Sequence, residues 1–413
     1  MTVCVSGGGA PPDAPAGHAL DLLHSALDVV ELLILHVIEP GRAEPEPPDV
    51  TKEVGEIAML LRLADRVLTS DADRQRIVDL AGRIAPLARS PQNRGVIVRR
   101  PSRAAAHLLA HACLAQAGCT DATFDELARA ALTASAAGAN ERVPYRLLDV
   151  AWIRHLMLGD DELDHPAIAL SPIAQGIDLI GATTEDAYAF SHALPYATDF
   201  GRRPLPGWVD TRRLSGLADA LVLKALDEDD LDLLGELLMV PALLRRPWSR
   251  VQWFGWRVLC DTWRYYGFVP GPGLPAATAV ETTAQTRRRV LGTVYHTTLV
   301  GGLLVATLLS TGYWPPAEPP AAPSLAGSVN DLAGWVDPCD TALVWQRVWH
   351  RLDAHERAEL AAVPAGMTLH RALARTDVTA LLQSLRTTGD LLPEPLVRQS
   401  AELLNRLALV VGA

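Results

Sequence analysis

Residues 291–311 read LGTVYHTTLVGGLLVATLLST and hold no formally charged side chain. The run follows three consecutive arginines, Arg287–Arg289, so its length and flanking charge fit a single membrane span. A span would leave His296 without a partner in the bilayer, which costs considerable free energy. We therefore predict that a long helix over 277–311 is buried at the centre of the fold, and a span at 291–311 is the weaker alternative.

The rest of the chain also predicts helices. Apolar residues recur with the helical period, and no segment shows the alternation bounded by hairpin turns that strands require. Short connections favour stacked helical hairpins, and no repeat of fixed length recurs. We predict an all-α protein, either a closed α/α toroid or a compact helical bundle. Locally, we expect a loop at 92–101, a helix break at Pro195, and a gap between helices at 355–362 and 376–386.

Composition excludes several classes of protein. With 49% apolar and 21% charged residues, the chain has the balance of a globular protein and not of a disordered one. Its net charge of -11, without an arginine-rich stripe, argues against nucleic-acid binding. Five scattered cysteines without CxxC spacing favour a reduced compartment. Because residues 1–17 lack the features of a signal peptide, we expect a cytoplasmic protein.

Four segments are predicted. Residues 1–17 form a flexible tail, 18–313 a main helical domain, 314–323 (WPPAEPPAAP) a proline-rich linker, and 324–413 a helical segment packed on the main domain. Nothing in the sequence decides the oligomeric state, so a homodimer remains open.

The first candidate site is Glu185–Arg203, EDAYAFSHALPYATDFGRR. Helical spacing places Glu185, Tyr188 and His192 on one face, followed by Tyr196 and Asp199 where the helix should end. Histidine can act as an acid or a base near neutral pH, and Asp199 or Glu185 could orient it.

The second candidate site lies on the central helix. His296, Thr297 and Thr298 interrupt an apolar run, and buried polar groups need partners. We expect His296 to meet the acidic residues of the first stretch across a shared cavity, with Tyr196 as a further donor. Gly301 and Gly302 allow a helix or a ligand to approach closely.

Further ligand contacts are expected from Tyr188 and from Arg202, which could hold an anion. Trp256 belongs to a tryptophan-rich helix over 248–266, which could line a pocket, although core packing explains it better.

Metal and terpene chemistry are weaker alternatives. His192, Asp199 and His296 could form a two-histidine, one-carboxylate site, and so a divalent metal stays open, but no spacing requires it and no metal site is assigned. The acidic runs 160–164 and 227–230 match the DDxxD and DxDD patterns of terpene cyclases. Partner motifs are missing, and both runs precede helices, so capping explains them better.

The elements SHALPYATDFG (191–201) and YHTTLVGGLL (295–304) together resemble an uncharacterised family of actinobacterial proteins. The resemblance covers about Leu20 to Thr311. Members of that family occur near natural-product gene clusters, which implies a tailoring role but no established chemistry. This sequence has Pro195 where the family has an aromatic residue.

The sequence therefore favours a tailoring enzyme of bacterial specialised metabolism. It would act on a small molecule or a modified peptide by lyase, cyclase or isomerase chemistry, without a predicted cofactor. The alternative is a non-catalytic helical scaffold that binds a partner.

Overall fold

The computed structural model describes residues 15–39, 49–135, 137, 141–159, 165–271, 284–320 and 343–411, and every regular element in these ranges is helical. The all-α prediction is therefore confirmed. The helices are α1 (Pro15–Leu33, continued by a π-turn at Ile34–Ile38), α2 (Thr51–Val67), α3 (Asp71–Ala88), α4 (Pro91–Arg99), α5 (Ala104–Gln116), α6 (Ala122–Thr133), α7 (Pro144–Leu158), α8 (His165–Leu170), α9 (Pro172–Gln175), α10 (Thr184–Thr198), α11 (Thr211–Asp227), α12 (Leu231–Leu237), α13 (Val240–Leu244), α14 (Arg250–Tyr266), α15 (Ala284–Thr311), α16 (Val344–Arg351), α17 (Ala354–Glu359), α18 (Ala362–Ala374), α19 (Val378–Thr388) and α20 (Glu394–Val411).

The central helix is α15, which packs against α1, α2, α12 and α13. Close approach depends on its glycine pair. A Cβ added at Gly302 would lie 2.8 Å from the Cβ of Ala26, and one at Gly301 would lie 2.5 Å from Cζ3 of Trp263. The pair therefore accommodates α1 on one side and a tryptophan of α14 on the other, as the sequence predicts.

The same helix is the one element among the described residues that is long and apolar enough to cross a membrane. Within Arg289–Thr311, 78% of the most apolar stretch of 18 residues is buried inside the fold. A helix in the core of a soluble protein passes the same test of length and hydropathy, so the length and hydropathy of α15 are weak evidence that it spans a membrane.

Three local expectations are wrong. The expected loop at 92–101 is mostly helix α4, because Ser90 accepts the amide of Asn93 and Pro91 occupies the first turn, where a missing N–H costs nothing. Pro195 does not break α10, which continues to Thr198. Helix α18 occupies the gap that was expected before residue 376. Its Pro364 lies in the first turn, where the missing N–H costs no hydrogen bond, so the proline does not prevent the helix.

The C-terminal helices pack on the main helical unit. Trp349 of α16 meets Phe254 of α14 edge to face, with ring centroids 5.9 Å apart. Arg371 of α18 pairs with Asp227 of α11 at 2.6 Å. The described part of the linker is held by indole groups, since Nε1 of Trp253 donates to the carbonyl of Pro316 at 2.9 Å. Residues 1–14 and 321–342, where the tail and part of the linker were predicted, lie outside the described ranges.

Replacing Gly301 by alanine should destabilise the fold relative to a matched change at Gly292. Both variants gain the same helix propensity, but a Cβ at 301 overlaps Trp263 whereas a Cβ at 292 meets nothing within 4 Å. Overpacking of a core costs about 1–3 kcal/mol. We expect the free energies of unfolding of the two variants, measured with urea, to differ by about that amount. Equal stability of the two variants would contradict this account of α15.

Candidate functional site

A cavity of about 390 Å³ lies between α2, α10, α12 and α15. It contains both histidines singled out in the sequence, His192 from α10 and His296 from α15, so the two candidate stretches face one shared space. A capping box of Thr183 and Asp186 starts α10, and Asp230 caps the start of α12 by accepting the amide of Leu233 at 3.0 Å. These helix starts fix which side chains point inward.

His296 lies between two carboxylates. Its Nδ1 is 2.9 Å from Oε2 of Glu56, and its Nε2 is 3.3 Å from Oδ2 of Asp232. Burial lowers the pKa of His296, but the hydrogen bonds to Asp232 and Glu56 outweigh burial and raise the pKa to about 10. His296 is therefore a fixed imidazolium at neutral pH, and both of its N–H groups are engaged.

His192 has one carboxylate partner. Its Nε2 is 2.9 Å from Oε1 of Glu236, whose other oxygen accepts the hydroxyl of Ser191. Burial lowers the pKa of His192, but the charge and hydrogen bond of Glu236 raise it above its ordinary value. The ring lies between Tyr145 and Tyr188, with centroids 5.7 and 5.6 Å away, and Nδ1 is not used in the contacts among the described residues.

Two phenols complete the polar side of the cavity. Tyr188 donates to Oδ2 of Asp232 at 2.8 Å. Tyr196 packs on Trp152, with ring centroids 5.3 Å apart, and its hydroxyl makes no hydrogen bond to another described residue. Burial and nearby carboxylates raise the pKa of Tyr196 well above its ordinary value, so the phenol stays protonated.

Asp149 of α7 is a further carboxyl group near His192. It lies one helical turn after Tyr145, and its Oδ1 is buried without a hydrogen-bond partner among the described residues. Burial raises the pKa of Asp149 to about 7, and the nearby His192 opposes this rise. Asp149 is not among the candidate residues predicted from the sequence.

The predicted carboxylate partners of His192 are wrong. Asp199 ends α10 in a left-handed conformation (φ 45°) and turns away to Arg62, whose Nη2 is 2.8 Å from its Oδ1. The indole of Trp152 donates to the same oxygen at 2.8 Å. Glu185 is exposed. Because Glu236 is the near carboxylate, neither Asp199 nor Glu185 can orient the imidazole.

The expected partners of His296 need the same correction. It shares the cavity with the first stretch, as predicted, but Glu56 and Asp232 hold its nitrogens. These two residues and Glu236 come from segments that the sequence analysis assigned no role.

Several predicted ligand contacts also lie elsewhere. Arg202 is 57% exposed and points at Asp199. Thr298 donates to the carbonyls of Val294 and Val269, and Thr297 is buried outside the cavity wall. Trp256 packs edge to face on Trp248, 6.3 Å between centroids, as core packing requires. Of the predicted contacts, Tyr188 alone lines the cavity.

The proposed metal triad does not assemble, because Asp199 is engaged by Arg62 outside the cavity. In the described ranges, no group of three histidine, cysteine or carboxylate side chains has metal-site geometry. The acidic run at 227–230 is structural: Asp227 binds Arg371, Asp229 accepts the amide of Val344, and Asp230 caps α12. The run at 160–164 lies outside the described residues.

The missed residues carried a weak signal. Asp232 and Glu236 are four residues apart in LDLLGELL, where every neighbour is apolar or small, and Glu56 precedes the apolar run IAMLL. A carboxylate inside an apolar helix must find a partner when it is buried. That argument marks them as candidates but does not identify their partners.

The architecture and cavity define an all-helical protein with a buried imidazole–carboxylate cluster. The profile of DUF6895, described as a domain of unknown function, matches residues 16–306, and the chain belongs to this family. The match contains α2, α10 and α12 and ends within α15, after the residues of that helix that line the cavity. No curated protein and no solved structure matches the chain significantly.

Replacing Asp199 by asparagine should lower the free energy of unfolding of the protein. Burial raises the pKa of Asp199, but Arg62, Trp152 and Arg66 hold it below its ordinary value, so the group is charged. Breaking a buried ion pair costs about 3–5 kcal/mol. The matched control is Glu185→Gln on the same helix, which is exposed and should change the unfolding free energy by about 0.5 kcal/mol or less. Similar effects of the two changes would contradict the assignment.

His296 should make stability depend on pH in the alkaline range. Its pKa rises from 6.5 to about 10 on folding, so its contribution is complete below 6.5 and is lost as the pH rises through 10. The melting temperature of the wild type should fall between these pH values more than that of His296→Gln. His355→Gln, at an exposed histidine, should follow the wild-type curve. Parallel curves for all three proteins would contradict the account.

Proposed function

We propose that the protein is an enzyme that transfers a proton on a small molecule or modified peptide bound in the cavity, in a lyase, cyclase or isomerase reaction of bacterial specialised metabolism. The observation that carries the proposal is the His192–Glu236 pair in the wall of the cavity. A histidine oriented by a buried carboxylate is a common arrangement for a general base.

In this proposal His192 is the group that takes and returns the proton. Glu236 holds Nε2, which leaves Nδ1 as the nitrogen able to meet a substrate. The flanking rings of Tyr145 and Tyr188 restrict the imidazole, and restricted groups lose less entropy on reaching a reactive geometry.

Tyr196 is the proposed donor to a carbonyl or leaving-group oxygen. Its phenol faces the cavity and stays protonated, so it can stabilise negative charge that develops when a proton is removed. His296 takes no proton at neutral pH in this scheme, because it is already an imidazolium between Glu56 and Asp232. It contributes a fixed positive charge and positions Asp232.

The test uses untargeted mass spectrometry. Purified wild-type protein is incubated with a small-molecule extract of its host cells, beside His192→Gln, Glu236→Gln and Glu185→Gln. We expect the wild type and Glu185→Gln to convert at least one compound into an isomer or an elimination product. His192→Gln and Glu236→Gln should slow that conversion about 10²–10⁴-fold, the usual contribution of general acid–base catalysis.

Two outcomes would overturn the proposal. If His192→Gln, still folded by circular dichroism, converts the compound as fast as the wild type, the assigned base is wrong. If no compound is converted but one is retained on the protein through gel filtration, the non-catalytic binding alternative takes the place of the enzyme.

A further inference from the structure

Hydrogen-bond donors are scarce inside the cavity. Both N–H groups of His296 are directed at Glu56 and Asp232, and the hydroxyls of Tyr188 and Ser191 are given to carboxylates. The Tyr196 hydroxyl remains as a donor within the wall, and Nδ1 of His192 donates only when the ring is protonated.

One carboxylate oxygen, in contrast, has no donor. Asp232 is 4% exposed, and its Oδ2 takes both Tyr188 and His296, while Oδ1 has no hydrogen-bond partner among the described residues. Pro195 has no N–H to give to the carbonyl of Ser191 one turn earlier, and both residues line the cavity. A ligand that complements this wall must bring donors.

The charges agree with the hydrogen-bond inventory. Three carboxylates line the cavity, while the buried cations are His296 and the protonated fraction of His192. The remaining cation, Lys52, is 65% exposed at the rim and 3.7 Å from Glu56. Because each nitrogen of His296 is already committed, its charge cannot be used by an anionic ligand through a direct hydrogen bond.

The rest of the cavity lining is apolar. Most of the exposed surface within the cavity comes from apolar atoms, and the lining includes Met59, Phe200, Met239, Leu299, Val300 and Leu303. Phe200 reaches this wall because the turn after α10 passes through three consecutive left-handed residues, Asp199–Gly201. A ligand that fills the cavity therefore has an apolar body as well as a polar end.

We propose that the cavity binds a protonated amine attached to an apolar body, with the ammonium group at Asp232 and Glu236. This deepens the proposed function, on whose cavity it rests, by naming the chemical class of the substrate. An ammonium group supplies up to three donors, of which the polar wall has few, and a positive charge that the three carboxylates of the wall can meet. The apolar body would lie against Met239 and Leu299.

The experiment compares three probes of similar shape by isothermal titration with the full chain at pH 7. They are 2-phenylethylamine, 2-phenylethanol and 3-phenylpropionate, which carry a cation, a neutral group and an anion on the same ring. We expect the amine to bind about tenfold or more tightly than the alcohol, and the carboxylate not to bind, because hydrogen bonds to charged groups are stronger than neutral ones. Asp232→Asn should weaken the amine about tenfold, whereas Asp21→Asn, at an exposed position, should not.

The comparison within the wild type needs no variant, so it remains decisive even if Asp232→Asn fails to fold. Tighter binding of the carboxylate or the alcohol than of the amine overturns the proposal. So does amine binding that Asp232→Asn, correctly folded, leaves unchanged.

His192→Gln separates this proposal from the catalytic one. It should bind the amine at least as tightly as the wild type, since it removes a neighbouring charge of the same sign, while losing any conversion. If the variant loses conversion of a substrate that carries no amine, the catalytic proposal survives and the amine proposal does not.

Discussion

The structure depends on burying the middle of α15, residues 297–308, and that burial requires small residues where other helices cross it. Gly302 meets Ala26 and Leu60, and Gly301 meets the indole of Trp263. Without side chains at these two positions, α1 and α14 can approach the backbone of α15 closely enough to exclude water. The buried polar residues of the same helix, Thr297, Thr298 and Thr307, must then find their partners among protein groups.

The number of carboxylate partners explains why the two histidines differ. His296 lies one and a half turns before the glycine pair, where it meets a carboxylate on each side and remains an imidazolium. His192 lies on α10 with Glu236 as its single close carboxylate, and one ring nitrogen remains available. The same side-chain chemistry thus yields a fixed charge on one helix and a titratable group on another, and the number of carboxylate partners makes the difference.

The sequence predicted the helical class, the burial of α15 and a cavity shared by the stretches that hold His192 and His296. These inferences rest on periodicity and on the cost of an unpartnered polar group, and both act along a single helix. The sequence did not predict Glu236, Asp232 or Glu56 as the partners, because pairing between helices distant in sequence leaves no mark on local spacing. Asp199 was assigned to His192 because it is close along the chain, whereas Arg62 competes for it through space. The expectation that a proline breaks a helix was wrong at Pro195, since tertiary packing keeps α10 helical beyond it.

The contact between Glu56 and His296 also has a kinetic consequence, because it joins residues 240 positions apart. Contacts between residues so far apart in sequence form slowly, because the long intervening chain must lose conformational entropy before the two residues can bond. During synthesis, α1 and α2 emerge long before the helix that covers their apolar faces. The nascent chain therefore carries exposed apolar surface until α15 leaves the ribosome, and its yield in a foreign host should depend on chaperones that shield such surfaces.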